Sequence, residues 1–539
     1  MGYNFAGGGE GDQVFLMPPD PREWLPPQHL AWAMRRAARE LDLAPFLAAY
    51  RADGQGNTAY HPRMMVALVM YCYCKGIRSS RAIEMATWDD VGARVICGGL
   101  HPDHATNARF VAGHKEPLTG LLVQSLAACA REGLVRVDVA AGDGTKVKAN
   151  ASMAANATAE QLGLDIAGLE RLLAAEVGAW IEEARAADVA EDVLCGAGDD
   201  VPPPAGGTPA GAARTRTAGK LARRKAAQAK LAADARVRRE QAEAERAAKI
   251  ARLAAEKDRL EARAAEELAK GQARVDRYAQ RAADAAAGKG RRQCGRAPWP
   301  AGQQRDVRAS RDAAARAARK LDEAIAAPAV PAAPARPPKA NPTDPASRIM
   351  PLKRGGYDQL YNLQALAGRG QVIFAIGTHD NTNDLGALHP LLAAGTANLA
   401  AAGIPGTIGA ALFDAGYASD ANFTAGCDAD LYVAVARESA QTGKDRAGQD
   451  PAARQSWQQM AAKLDTPDGQ ALYKQRKAII EPVFAQLFAR FGRHLHYRGD
   501  MVTTEVHLWA AVHNTLKAIR ARARRERQAA GLQPAPTAA

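Results

Sequence analysis

No stretch of the 539 residues offers the eighteen or more uninterrupted apolar residues that a membrane span needs. The opening segment, MGYNFAGGGEGDQ, has no basic stretch followed by an apolar one, the mark of an export signal. Both absences predict a cytoplasmic protein with no membrane partner. Paired cysteines are also missing. The seven cysteines (72, 74, 97, 129, 195, 294 and 427) are scattered, and the one close pair, Cys72 and Cys74, sits in the apolar run MVALVMYCYCKG. A zinc site would need a second ligand pair at short spacing, so these are read as reduced packing residues.

Acidic balance is lacking in one place above all. Residues 211–330 hold 30 Lys and Arg against 15 Asp and Glu, a net of +15 where the whole chain carries +13. The remainder is therefore near neutral apart from a second basic run at 520–527, RARARRER. Concentrated positive charge predicts a polyanionic partner, and double-stranded DNA fits.

What is present divides the chain. Its length exceeds what one core usually organises, so two or three structural units are expected. Residues 1–21 and 528–539 read as disordered ends. Apolar positions at helical spacing over 22–133 predict a helical domain. Within it, GIRSSRAIE (76–84) and HPDHATNARF (101–110) place Ser, Thr or Asp where helix caps belong. Short helices joined this way suit a helix-turn-helix reader of DNA ends. A strand is expected over 134–143, with Asp143 at its end, within a segment running to 152. Residues 153–325 turn rich in Ala, Arg, Lys and Glu, which predicts one or two long exposed helices. Their Leu and Ile positions (221, 231, 250, 253, 260, 268) keep no heptad, so solvent-exposed DNA contact ranks above a coiled coil. A Pro- and Ala-rich linker spans 326–340. Alternating strand and helix signals over 341–527 then predict a mixed α/β layer.

Three acids stand out. Asp143, in DGT, and Asp414, in DAGY, each follow a hydrophobic strand signal, where carboxylates point into a cleft. Two such carboxylates side by side repel each other, and a divalent cation relieves that repulsion. Glu481 lies on a predicted helix beside the apolar stripe Ile480, Val483, Phe484 and Leu487. Asp384 reads as a helix N-cap ahead of a fourth carboxylate, and His379, His494 and His496 read mainly as structural. NPTDPASR (341–348) reads as a polar turn near the cleft, with Asp344 and Arg348 placed to help position DNA.

Several segments together are distinctive: GNTAYHPRMM (56–65), CKGIRSSRAIE (74–84), HPDHAT (101–106), DGTKVKANAS (143–152), NPTDPASR, YNLQA (361–365), DAGY and YKQRKAIIEPVF (473–484). With them the chain resembles the bacterial insertion-sequence DDE transposases that have an RNase H-like catalytic domain and a Tyr-Arg-Glu signature. The resemblance implies an α/β, RNase H-like mixed sheet with a helical N-terminal domain and a long basic helical insertion after the first strand. It implies Asp143, Asp414 and Glu481 as catalytic metal ligands, and Tyr473 and Arg476 as contacts to transposon-end phosphates. The family's signature ends with a lysine seven positions after the glutamate, where this chain has Phe488; Arg490 and Arg493 are the candidate substitutes.

The activity expected is phosphodiester hydrolysis at terminal inverted repeats, followed by strand transfer of the freed 3′-hydroxyl into target DNA. Hard oxygen ligands favour two Mg2+ ions, with Mn2+ able to substitute. Joining two ends implies a homodimer at the nucleoid. Two other readings remain: a non-catalytic DNA-binding derivative, and a general metal-dependent nuclease.

Overall fold

The computed structural model describes residues 20–50, 58–195, 209–289, 295–328, 337–352, 355–379, 381–435 and 451–531. They divide into two compact units, Met1–Asn156 with Asn341–Ala539, and Ala157–Ala340. Of the ends expected to be disordered, 1–21 and 528–539, residues 1–19 and 532–539 lie outside the described residues, as does most of the predicted linker; Pro21 opens a short 3-10 turn, and Gln528 and Ala529 continue the last helix.

The first unit opens with α1 (Leu30–Arg39), α2 (Ala44–Leu47), α3 (Pro62–Cys74), α4 (Ser80–Asp89), α5 (Val91–Cys97), α6 (His104–Gly113) and α7 (Lys115–Arg131). The anticipated caps are in place. Ser79 accepts from the Ala82 amide at the start of α4, and Asp103 from the Thr106 amide at the start of α6. Helix α3 is apolar nearly all round and accordingly lies in the middle, with Met65 to Tyr73 buried. Cys72, Cys97 and Cys129 are buried free thiols, as packing residues should be.

The strand expected over 134–143 instead forms as β1 (Val139–Lys148), so Asp143 lies inside a strand and not at its end. The second unit follows with β2 (Ala157–Thr158), α8 (Ala159–Cys195), α9 (Pro209–Ala286), α10 (Arg305–Ala326) and β3 (Lys339–Ala340), which pairs antiparallel with β2. Arg224 bonds Asp165 at 2.8 Å and Thr217 bonds Glu176 at 2.9 Å, so α8 and α9 run antiparallel. Gln304 donates to the Gly271 carbonyl and Arg246 to that of Ile325, which makes α10 antiparallel to α9 as well. Helix pairing without a heptad therefore covers part of the apolar positions of α9: Leu231 and Ala227 are buried with Leu162 and Ala340, Leu221 is buried too, Ile250, Leu253, Leu260 and Leu268 are half-buried, and Val237 stays exposed.

Back in the first unit come β4 (Arg348–Pro351), β5 (Tyr357–Gly368), β6 (Ile373–His379), α11 (Leu388–Ala401), β7 (Ala410–Phe413), α12 (Asp420–Thr424) and β8 (Asp430–Val433). Four more helices close the unit: α13 (Pro451–Asp465), α14 (Pro467–Tyr473), α15 (Gln475–Phe491) and α16 (Met501–Ala529). The sheet runs β4-β5-β1-β7-β8, with β6 also paired to β5. Strands β1, β7 and β8 are mutually parallel, and β5 is antiparallel to β1, β4 and β6. This is a mixed α/β fold. β1 extends through Gly144 and Thr145, past the expected end at Asp143, because the twelve-residue β5 offers a partner as far as Lys148.

Side chains alternate across the sheet as strand geometry requires. Val139, Ala141, Leu363, Ala365, Ala410 and Leu412 share one core with Ile479, Ile480, Val483 and Leu487 of α15. Ala140, Leu366, Phe374, Ala411 and Phe413 share the other with Leu388 and Leu392 of α11.

Helix α16 closes the unit, and its geometry divides the basic run. Arg522 pairs with Glu40 and Glu132, and Arg525 also pairs with Glu132, a side chain only 2% exposed. Those two arginines are committed within the fold. One helical face earlier, His513 is buried and its Nε2 donates to the Gln371 carbonyl at 2.8 Å. Gln371 sits in the β5–β6 turn with φ 56°, left-handed for a residue other than glycine.

Burial pushes the His513 imidazole down to about 4. The folded state thus holds it neutral while the unfolded chain accepts a proton near 6.5, so acidification favours unfolding. The stability contributed by keeping it neutral is complete above about pH 6.5 and falls by roughly 3 kcal/mol as the pH drops to about 4. Urea unfolding at several pH values should show a shallower acid slope for His513→Gln than for the parent; equal slopes would reject the assignment.

Candidate active site

Parallel pairing aligns Val139 with Ala410, Ala140 with Ala411 and Ala141 with Leu412. Two residues beyond the last rung stand Asp143 and Asp414, in the same register on adjacent strands. Alternation puts both on the face that α15 covers. Between them and that rung, Gly142 faces the ring of Phe413, where an added Cβ would come within 2.2 Å of it. Asp414 caps the turn after β7, accepting from the Gly416 amide at 2.9 Å, and Asp143 accepts from the Gly144 amide at 2.8 Å.

Arg476 enters this pair from the first turn of α15. Its Nη1 lies 3.4 Å from Asp143 Oδ2, with the side chains 10% and 20% exposed. That nitrogen is buried and has no hydrogen-bond partner among the described residues. Burial and, next, the charge of Asp414 push the Asp143 carboxyl up, against the pull of Arg476. Tyr473 donates to the Phe413 carbonyl at 3.2 Å and so pins the end of β7 beside Asp414. Glu481 stands apart. It is exposed, about 140° round the helix from Arg476 at 100° per residue, and joins neither aspartate by hydrogen bond or ion pair among the described residues.

The remaining expected contacts are dispersed. Arg490 Nε donates to the Cys74 carbonyl at 3.0 Å. The Arg493 guanidinium lies 4.2 Å over the Phe488 ring, which brings a cation to the position where the resembled signature has lysine. Arg348 is on β4, at the sheet margin. Asp344 does not face a cleft: it is fully buried, accepting from the Tyr361 hydroxyl at 2.7 Å and the Gly499 amide at 3.1 Å.

Asp384 is not the cap of α11, whose N-cap is Ala387. Its Oδ1 accepts from Asn362 Nδ2 at 2.8 Å and Gln364 Nε2 at 2.6 Å, and the Tyr417 hydroxyl donates to Gln364 in turn. Asn362 and Gln364 alternate along β5 on the face away from α15, so Asp384 approaches the aspartates from the other side of the sheet. A Cβ on Gly416 would stand 3.0 Å from Asp414 Oδ1 and 3.2 Å from Asp384 Oδ2, so those oxygens are at most about 6 Å apart. The signal was in YNLQA, where two amides alternate with apolar residues. Among the described residues no three carboxylate, imidazole or thiolate groups already form one ion's ligand set.

A transposase domain (DUF772) model matches residues 19–112, and a transposase DDE domain model matches residues 439–519. The chain belongs to the insertion-sequence DDE transposases. No curated protein and no solved structure matches it. In this transposase the second matched segment carries Tyr473, Arg476, Glu481, Arg490 and Arg493, whereas Asp143 and Asp414 lie outside both. The two aspartates therefore stand on strand register and on their local motifs. Among the described residues no helix is long and apolar enough to cross a membrane.

The space above Gly144 gives a specific test of the Asp384 network. A Cβ there would come within 2.4 Å of Gln364 Nε2 and 2.6 Å of Asp384 Oδ1. Gly144→Ala should cost about 1–3 kcal/mol as overpacking. DNA cleavage should fall about tenfold or more, beyond the loss of folded protein, because the displaced carboxylate borders the aspartates. Full cleavage by the folded variant would detach Asp384 from the site.

Proposed function

We propose that this transposase cuts DNA at its terminal inverted repeats and joins the freed 3′-hydroxyl to target DNA, on an RNase H-like domain. Asp143, Asp414 and Glu481 are assigned as holders of two divalent cations, with magnesium preferred and manganese able to replace it. The observation that carries the reading is the shared register of Asp143 and Asp414. Two parallel strands bring two carboxylates to one edge, and one arginine does not balance both charges.

The donor set fits such ions. Carboxylate oxygens are hard ligands, and the upward push on Asp143, from burial first and the charge of Asp414 next, is one that a cation would relieve. When bound, the cations would supply Lewis-acid stabilisation of an in-line phosphoryl transfer. The chain's own residues then orient the site. Arg476 steadies Asp143, Tyr473 fixes the β7 carboxyl end, and the Asn362–Gln364 pair holds Asp384 alongside. Glu481 is assigned the third place on the Tyr-Arg-Glu signature alone, because α15 carries it on its exposed side, away from the aspartates. The mixed sheet, with its parallel β1, β7 and β8 and helices on both faces, supports the RNase H-like reading. The N-terminal helices are assigned to reading the DNA ends, and a homodimer to pairing two of them.

The test is incubation with Mg2+ and a labelled terminal repeat beside scrambled DNA. Nicks confined to the repeat ends are expected. No cutting would favour a DNA-binding derivative, and cutting of both substrates a general nuclease; either outcome rejects the proposal.

A further inference from the structure

Helix α16 carries His513, Lys517 and Arg520 at helical spacings of four and three, so they share one face. With Arg490 of α15 and Lys75 at the end of α3, that face lines a cavity of about 370 Å³. None of its lining side chains is acidic. Lys75 is paired with Asp90 outside it. The others form no ion pair among the described residues: Arg490 donates to the Cys74 carbonyl and Lys517 reaches Gln371 Oε1 at 3.4 Å. Arg490 and Lys517 are both half-buried.

Gathering cations in partial burial without a counter-charge opposes folding, because each loses hydration and repels the next. The effect is visible in both side chains. Burial and the neighbouring charge of Arg520 push Arg490 and Lys517 down, and Arg524 adds to the repulsion on Lys517. An oxyanion would relieve this, and the guanidinium forks of Arg490 and Arg520 suit the oxygens of a phosphate.

We propose that this cavity is a second DNA-backbone site of the transposase, in which Arg490, Lys517 and Arg520 bind a phosphodiester away from the acidic pair. The phosphodiester as ligand rests on the transposase reading; the site itself rests on the cavity and its charges. A phosphodiester is preferred to a free anion because DNA is what the proposed reaction handles, and salt dependence separates the two.

The experiment compares the full chain with Lys517→Gln/Arg520→Gln for binding of a labelled duplex in EDTA, over a range of salt concentrations. Each lost phosphate contact should lower the slope of log K against log salt by about 0.9. The double variant should therefore be shallower by nearly 2 and weaker by on the order of 30-fold at 0.15 M salt. Arg520→Gln alone changes an exposed side chain and should give about half the slope change, which keeps the test open if the double variant folds poorly. Unchanged slope and affinity in the folded single variant would overturn the proposal. So would phosphate-induced thermal stabilisation that the double variant loses while DNA binding stays intact, because the cavity would then serve a small anion. Because EDTA prevents cleavage, either failure is distinguishable from failure of the catalytic assignment, which is read in Mg2+.

Discussion

Asp143→Asn is expected to reduce Mg2+-dependent cleavage of terminal-repeat DNA by about a hundredfold to a thousandfold, the scale on which removing one electrostatic group from a reaction centre acts. The fold should survive the change. Asp143 is flanked by Asp414 and sits largely buried on β1, so the ionised side chain adds repulsion that an amide of nearly the same shape does not. Thermal unfolding without metal should thus be no lower for the variant than for the parent. This separation matters, because a merely structural aspartate would show the opposite pattern of lost stability and kept activity. Cleavage rates per folded molecule, with unfolding followed by circular dichroism, distinguish the two.

The second large effect is expected from Arg78→Ala. Arg78 Nη1 bonds Glu505 Oε1 at 2.8 Å and also the His494 carbonyl, and its guanidinium lies 5.6 Å over the Trp509 ring. The Glu505 side chain is fully buried and accepts in addition from the amides of His496 and Tyr497. Removing one partner of a buried ion pair strands the other, at a cost of about 3–5 kcal/mol. That is a large part of what holds an ordinary domain folded. Burial already pushes the Glu505 carboxyl up, opposed by its two amide donors and Arg78. Without Arg78 the folded state binds a proton there more readily, so the gap between variant and parent should narrow as the pH falls. Urea unfolding at pH 8 and pH 5.5 reads both quantities. A loss under about 1 kcal/mol at pH 8 would show that the amides alone hold Glu505.

These two residues show what the sequence made legible and what it did not. Asp143 and Asp414 were readable because hydrophobic strand signals end in an acid and a small residue, a local pattern. Their shared register was not, since it depends on β1 pairing with a strand about 270 positions further along. The CKGIRSSRAIE segment marked the family and its Ser79 cap, yet the work of Arg78 became visible only across the 427 positions that separate it from Glu505. Asp384 misled for the opposite reason. A polar residue ahead of an apolar helical run reads locally as a cap, but two β5 amides claim its carboxylate. In the basic insertion, composition identified helices correctly while the missing heptad suggested exposure; antiparallel packing of α8, α9 and α10 buries Leu221 and Leu231 and half-buries the other four without one. The basic run at 520–527 divided in the same way, by helix face: Arg522 and Arg525 meet acids, and Arg520 turns to the cavity.

The most direct test of the central assignment is anomalous diffraction from crystals of the full chain soaked in Mn2+. A manganese peak within bonding distance of both the Asp143 and Asp414 carboxylates, lost in Asp143→Asn, is the predicted result. Manganese bound only elsewhere, with these two carboxylates bare at saturating metal, would contradict it.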